Sequence, residues 1–263
     1  MNRTTPAWLW ALAGIGGLVL VTPLIAIVLD VPWHQLLDIL TAPAALQALW
    51  LSVRTAAAST LLCLLFGVPL GWILARVRLP AQRLVRTLVL LPMVLPPVVS
   101  GMALLAAFGR SGLLGGPAEM LGIRIAFSTV AVILAQTFVS LPFMVLGVEG
   151  ALATCGTDHE RTAATLGASP GRVLTRVTLP LIAPALRSAT VLCFARALGE
   201  FGATITFAGS FPGVTRTLPL QIYLVRESDV DAAVAMSLIL LVVAGIIVAA
   251  THARTRSTGK VAA

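Results

Sequence analysis

The chain has 263 residues, 58% of them hydrophobic and only 11% charged, with a formal net charge of +8. A soluble domain carries about a quarter of its residues as charges, so this composition excludes a soluble fold and points to an integral membrane protein. The positive balance does not indicate nucleic acid, because every basic residue except Lys260 is Arg, and these lie in short loops flanking apolar runs.

The first apolar run, 7–29, is longer than the core of a signal peptide and reaches Asp30 without a small-residue cleavage site. It reads as a retained membrane helix. A hydrocarbon core about 30 Å thick needs about 20 apolar helical residues. On that measure further spans are predicted at 49–75, 84–108, 125–148, 181–208 and 232–250. The fold class is therefore an all-α membrane protein of six transmembrane helices, forming a single domain over residues 1–263.

Hydropathy alone leaves the fifth span weak, since Arg187, Arg196 and Glu200 interrupt it. Charge decides the count. With six spans and both termini cytoplasmic, the inner side holds Arg3, Arg76, Arg78, Arg83, Arg86, Arg161, Arg172, Arg176, Arg187, Arg254, Arg256 and Lys260, twelve of the 18 basic residues. The outer loops hold only Arg110, Arg124, Arg216 and Arg226. Dropping the fifth span would strand the basic tail outside, against the positive-inside rule. Trp8, Trp10, Trp33, Trp50 and Trp72 fall near span ends, as an interfacial belt would.

The third span opens Leu91-Pro92-Met93-Val94-Leu95-Pro96-Pro97. Each proline removes a backbone donor and clashes with the preceding turn, so an unbroken helix is not expected here. In lipid such breaks survive where neighbours or water satisfy the freed carbonyls, and broken helices often line translocation paths. The break is either a plain structural kink or a hinge or path-lining element in which Pro96 and Pro97 take part, and the resemblance described below favours the second.

Between the fourth and fifth spans lies a polar segment, 157–180. Thr157 or Asp158 suits a helix N-terminus, and Glu160 in the first turn complements the helix dipole. Ala163, Ala164, Leu166 and Ala168 are small or apolar, fit for a groove on a partner. Gly167 lets the chain turn, and Ser169-Pro170 begins a second helical stretch. The competing reading is an amphipathic loop resting on the lipid surface.

In the fifth span Arg196 and Glu200 are four apart, on one face if the helix is continuous, and can pair. The pair either locks this helix to its neighbours or leaves Arg196 aimed at an anion path; the spacing favours the lock. Gly199 and Gly202 permit close helix approach. Cys63, Cys155 and Cys193 are far apart in sequence and read as packing residues, and the three histidines show no metal-ligand spacing.

Gly167 is followed by Val177, Leu179 and Pro180 at offsets of ten, twelve and thirteen. This resembles the cytoplasmic coupling loop of ABC importer permeases, whose pattern is EAA, three residues, Gly, nine residues, Ile, one residue, Leu-Pro. LPMVLPPVVSG and ARALGEFGATITFAGSFPGVTRTLPLQIY also resemble permeases of oxyanion importers, most of all the molybdate branch, with sulfate and tungstate kept open. The resemblance runs from about Trp50 to the end of the sixth span. It departs in one place: the EAA positions hold Arg161, Thr162 and Ala163, with the acid one place earlier at Glu160.

The resemblance implies a type I ABC importer permease fold in a bacterial inner membrane. It implies a homodimer with two cytoplasmic ATPase subunits and an extracytoplasmic oxyanion-binding protein. Glu160, Thr162, Ala163, Leu166, Gly167, Ala168, Val177, Leu179 and Pro180 would couple to the ATPase. Pro96, Pro97, Ser100, Arg196, Glu200, Thr204 and Thr206 would border the path, since hydroxyls and a modest positive field suit a dianion that must leave again. No cofactor is expected on this chain; ATP and Mg would sit on the partner ATPase. The sequence itself has no phosphate-binding loop, because Gly259-Lys260 is followed by Val261 and lacks the earlier glycine. An ion-coupled secondary transporter would need a proton-binding carboxylate at mid-membrane. Only Glu200 could serve, and Arg196 stands beside it. A membrane-embedded enzyme would need a cluster of reactive side chains, and none is apparent.

Overall fold

The computed structural model describes residues 6–258, so Arg3 and Lys260 of the charge balance lie outside the described residues, as do the side chains of Arg254 and Arg256. Regular structure among the described residues is helical throughout. Helix α1 (Ala7–Leu29) is apolar on every side and exposed along its length, as expected of a helix surrounded by lipid. A short α2 (Leu36–Thr41) leads into α3 (Pro43–Arg76), which starts on a proline in its first turn.

The predicted third span is two helices, α4 (Gln82–Val94) and α5 (Pro97–Phe108), bent by 120° at their junction. Leu95 and Pro96 take extended ψ values of 136° and 138°, because a residue before proline is driven out of the helical region. Pro92 stays inside α4 and is buried. The short α6 (Gly115–Met120) precedes α7 (Thr129–Cys155), whose N-cap Ser128 accepts a hydrogen bond from the Ala131 amide at 3.3 Å. The fourth span therefore begins and ends later than its apolar run of 125–148.

Helix α8 (Asp158–Thr165) opens the polar segment, and after a turn α9 (Pro170–Leu198) continues without interruption into the fifth span. That span does not reach Ala208 as one helix. It stops at Leu198, and a separate α10 (Gly202–Ala208) follows. Two further helices, α11 (Leu218–Val225) and α12 (Val230–Thr258), complete the described residues. Among the described residues, four helices are long and apolar enough to cross a membrane, or five if α4 and α5 count as one, and the apolar stretch Val230–Ile246 of α12 is shorter.

Helix α7 is the hub, packing along α9 and α3 and against α4 and α10. Small residues bring these backbones close. A Cβ on Gly71 of α3 would lie 2.9 Å from the Val145 carbonyl oxygen, and one on Gly147 would lie 2.6 Å from Ala189 Cβ of α9. Ser52 of α3, fully buried, accepts the Leu218 amide at 2.6 Å and so satisfies one orphan donor at the start of α11.

Both α3 and α9 widen into a π-turn, at Cys63–Gly67 and Leu174–Thr178. In each case a proline follows the last π-turn residue by two positions, as Pro69 and Pro180. Proline cannot donate to the carbonyl one turn back and its ring crowds it, so the turn relaxes outward. The Leu-Pro of the coupling-loop pattern thus marks a deformation in the helix at that point.

Candidate functional site

The predicted coupling residues gather on α8 and the start of α9. Asp158 and Glu160 occupy the first turn of α8, where carboxylates complement the dipole. Thr157 holds the N-cap position without a side-chain capping bond, so neither of the two capping candidates acts as one. The helix ends on Gly167, whose φ of 84° is the left-handed conformation that glycine adopts without a Cβ penalty. Its amide bonds the Ala164 carbonyl at 3.0 Å, and the Ala168 amide bonds that of Ala163 at 3.1 Å.

Leu166 stands at this turn, 83% exposed. Thr162 is exposed with its hydroxyl folded back onto the Asp158 carbonyl at 2.9 Å. Ala163, Ala168, Val177 and Leu179 are half-buried, and Pro180 is exposed. The result is a short knob with an apolar tip and little bulk around it. Behind the knob lies a cavity of about 220 Å³ lined by Trp72, Ala164, Ala168, Leu174 and Thr178 among others. Trp72 is therefore not simply a belt residue: its ring lines this cavity, and its Nε1 is buried without a protein partner.

Glu160 differs from its neighbours. Its side chain is turned inward, with Oε2 3.1 Å from Arg76 Nε and Oε1 accepting the Thr178 hydroxyl at 2.9 Å. Arg76, the last residue of α3, also donates through Nη2 to the Gly156 carbonyl.

The predicted path residues gather where α5 meets α10. A Cβ on Gly202 would lie 2.4 Å from Pro97 Cβ, and one on Gly101 would lie 2.5 Å from Thr206 Cβ. The step between these contacts is the same on both helices, so the two short helices run parallel with their N-terminal ends together. Ser100 and Thr204 are buried and their hydroxyls have no protein partner. The Thr206 hydroxyl is spent on the Gly202 carbonyl at 2.9 Å. Pro96 and Pro97 are exposed, beside exposed Val98 and Val99.

Arg196 and Glu200 do pair, Nη1 to Oε2 at 2.6 Å, but not along one helix, because α9 ends between them. The other Glu200 oxygen accepts the Ala203 amide at 2.9 Å, so this carboxylate begins α10 as well as neutralising Arg196. That double use explains the break in the fifth span.

Three features escape a reading of the sequence. Arg76 enters it only as a topological charge. Glu149, one residue past the apolar run of the fourth span, is buried on α7 and paired with Arg86 of α4. Gln136, an amide in that same run, is fully buried with neither polar atom bonded to the protein. An isolated amide or acid at the margin of an apolar run is the signal that could have found the last two.

Residues 67–256 match the family described as "Binding-protein-dependent transport system inner membrane component". The chain belongs to that family. The match takes in both groups of residues described above, from the second half of α3 into α12. Among individual relatives, the chain is 59% identical to the "Molybdenum transport system permease protein ModB" of Mycobacterium tuberculosis over 95% of each chain. It is 37% identical to the "Sulfate transport system permease protein CysW" of Escherichia coli, over 83% of this chain and 77% of that one. A solved chain from "Crystal structure of bacterial alginate ABC transporter in complex with alginate pentasaccharide-bound periplasmic protein" superposes with a TM-score of 0.74 at 17% identity, covering 95% of this chain and 94% of that one. The fold is that of ABC importer permeases, and the chain is an inner-membrane component.

Proposed function

We propose that this chain is the permease subunit of an ATP-driven importer that moves molybdate from a binding protein across the inner membrane. The observation that carries this reading is its likeness to the mycobacterial molybdenum permease along nearly the whole of both chains. It crosses the membrane six times, with α4 and α5 as one bent span, α12 as the last, and both termini cytoplasmic. The distribution of Arg supports that topology.

Two copies form the pore. An ATPase subunit docks on each α8, taking Leu166 and the small residues Ala163 and Ala168 into a groove, with Thr162, Gly167, Val177, Leu179 and Pro180 shaping the knob. ATP and Mg reside on that ATPase, and this chain holds no cofactor. Closure of the ATPases moves the knobs and switches the pore between inward-open and outward-open. The junction of α5 and α10, with Pro96, Pro97, Ser100, Thr204 and Thr206, borders the path. Arg196 there is neutralised by Glu200, which leaves a field weak enough for a dianion to leave again.

The likeness to a sulfate permease favours one second reading, a sulfate carrier of the same design. Uptake of radiolabelled molybdate into proteoliposomes holding this chain, its ATPase and its binding protein separates the two. Competition by tungstate but not sulfate is expected. Displacement by sulfate moves the assignment to the sulfate branch, and uptake without ATP overturns the importer reading.

A further inference from the structure

The knob rests on a cavity rather than on a packed core. Helix α8 touches the start of α9, but the space between it and Trp72 of α3 is the open volume of about 220 Å³. Dispersion and burial fix an orientation only where atoms fill the space between two elements. Apolar packing therefore does not fix the angle between the knob and α3. Something else must, if a push on Leu166 is to reach the spans.

The group in position to do so is the Glu160 carboxylate. Of the residues from Asp158 to Thr162 it is the one whose side chain turns inward, 19% exposed, facing Arg76 at 12%. It gathers three segments: the end of α3 through Arg76, its own α8, and the π-turn of α9 through Thr178. Arg76 adds the chain just before α8 through the Gly156 carbonyl. The π-turn belongs to the same device. An extra residue in the turn rotates the remainder of α9 by about 100° relative to a regular helix, and Thr178, the last residue of the turn, is the one that reaches Glu160. Charge-assisted hydrogen bonds at low exposure are stronger and more directional than surface pairs.

We propose that Glu160 is the positioning residue of the transmission joint: with Arg76 and Thr178 it makes the knob move as one body with α3 and α9. Its part is to carry the displacement, whereas docking belongs to Leu166 and the small residues around it. The family pattern offers an acid near this place as part of the loop that meets the ATPase; here the acid is committed to the permease itself. The inference rests on the reading of α8 as the coupling knob.

The test uses the complete transporter in proteoliposomes, with molybdate uptake and ATP hydrolysis measured on the same vesicles. For Glu160→Gln and for Arg76→Gln, uptake per ATP hydrolysed is expected to fall about tenfold, the scale of an ordinary coupling between two sites. The exchanged pair Arg76→Glu with Glu160→Arg is expected to recover part of it, though not the bond to the Gly156 carbonyl, and a merely lost surface charge would allow no recovery. Thr178→Val removes a single hydroxyl and is expected to lower the ratio in the same direction, so the inference stays testable if a charge variant fails to assemble. Leu166→Asp is expected to abolish uptake altogether. Unchanged uptake per ATP in Glu160→Gln and Thr178→Val, alongside a dead Leu166→Asp, overturns the joint and leaves the docking reading intact. Normal uptake in Leu166→Asp overturns the docking reading itself.

Discussion

Glu200 serves Arg196 with one carboxylate oxygen, at 2.6 Å, and the amide of Ala203 with the other, at 2.9 Å. One buried acid therefore ends the isolation of a membrane-embedded guanidinium and starts a new helix. Its side chain is 2% exposed while that of Arg196 is 31% exposed, so the carboxylate is the member that depends on the pair.

Removing the charge of Arg196 is expected to destabilise the protein by about 3 kcal/mol, because Glu200 is left buried without its counter-ion. Removing that of Glu200 leaves a partly exposed Arg196 and costs less through the pair. Arg196→Leu together with Glu200→Leu is expected to regain part of that loss, though not the Ala203 bond. Thermal unfolding of the four forms in detergent measures the coupling. Strict additivity would mean that the pair contributes nothing to the fold.

The contact of α5 with α10 is set by the absence of side chains at Gly202 and Gly101. Alanine at either position drives a Cβ to within 2.4 Å or 2.5 Å of its neighbour on the other helix. Each variant is expected to lose about 1–3 kcal/mol through overpacking. Because the neighbours are Pro97 and Thr206, beside the proposed path, uptake is expected to fall as well. Wild-type melting and uptake in Gly202→Ala would show that the two helices separate freely.

Gly167 gives a cleaner test of docking, since a Cβ there meets nothing within 4 Å and only the backbone angle restricts it. Asn and Asp have the same shape and both tolerate left-handed φ. Gly167→Asn is expected to retain uptake, whereas Gly167→Asp, which sets a negative charge on the docking turn, is expected to abolish it with membrane insertion intact. Gly167→Val should lose activity through strain instead, at about 1–2 kcal/mol. Equal uptake by the Asn and Asp forms would argue that no partner covers this turn.

Much of the architecture is legible along the chain because its causes are local. Apolar runs of the length of a bilayer, the prolines after Leu91, and Gly167 at the end of a polar helix each announce a consequence within a turn or two of themselves. The class of protein, the break between α4 and α5, and the exposed knob follow from such neighbours alone. So does the family, since its pattern is a matter of fixed offsets.

The features that only the folded chain decided depend on residues far apart in sequence. The charge balance makes 181–208 a single span, but Glu200 is drawn to the Ala203 amide and to Arg196, and the helix stops. Arg76 and Glu160 are 84 positions apart, and Arg86 and Glu149 are 63 apart, so no periodicity relates them. The parallel seating of α5 on α10 likewise needs Gly101 and Gly202 to arrive at partners that the chain reaches only after α7 to α9 are in place. Composition and local pattern choose the helices and the solvent they live in. Which charges meet, and which helix is cut short to let them, is settled by the low dielectric between spans, where an ionised group without a partner is too costly to keep.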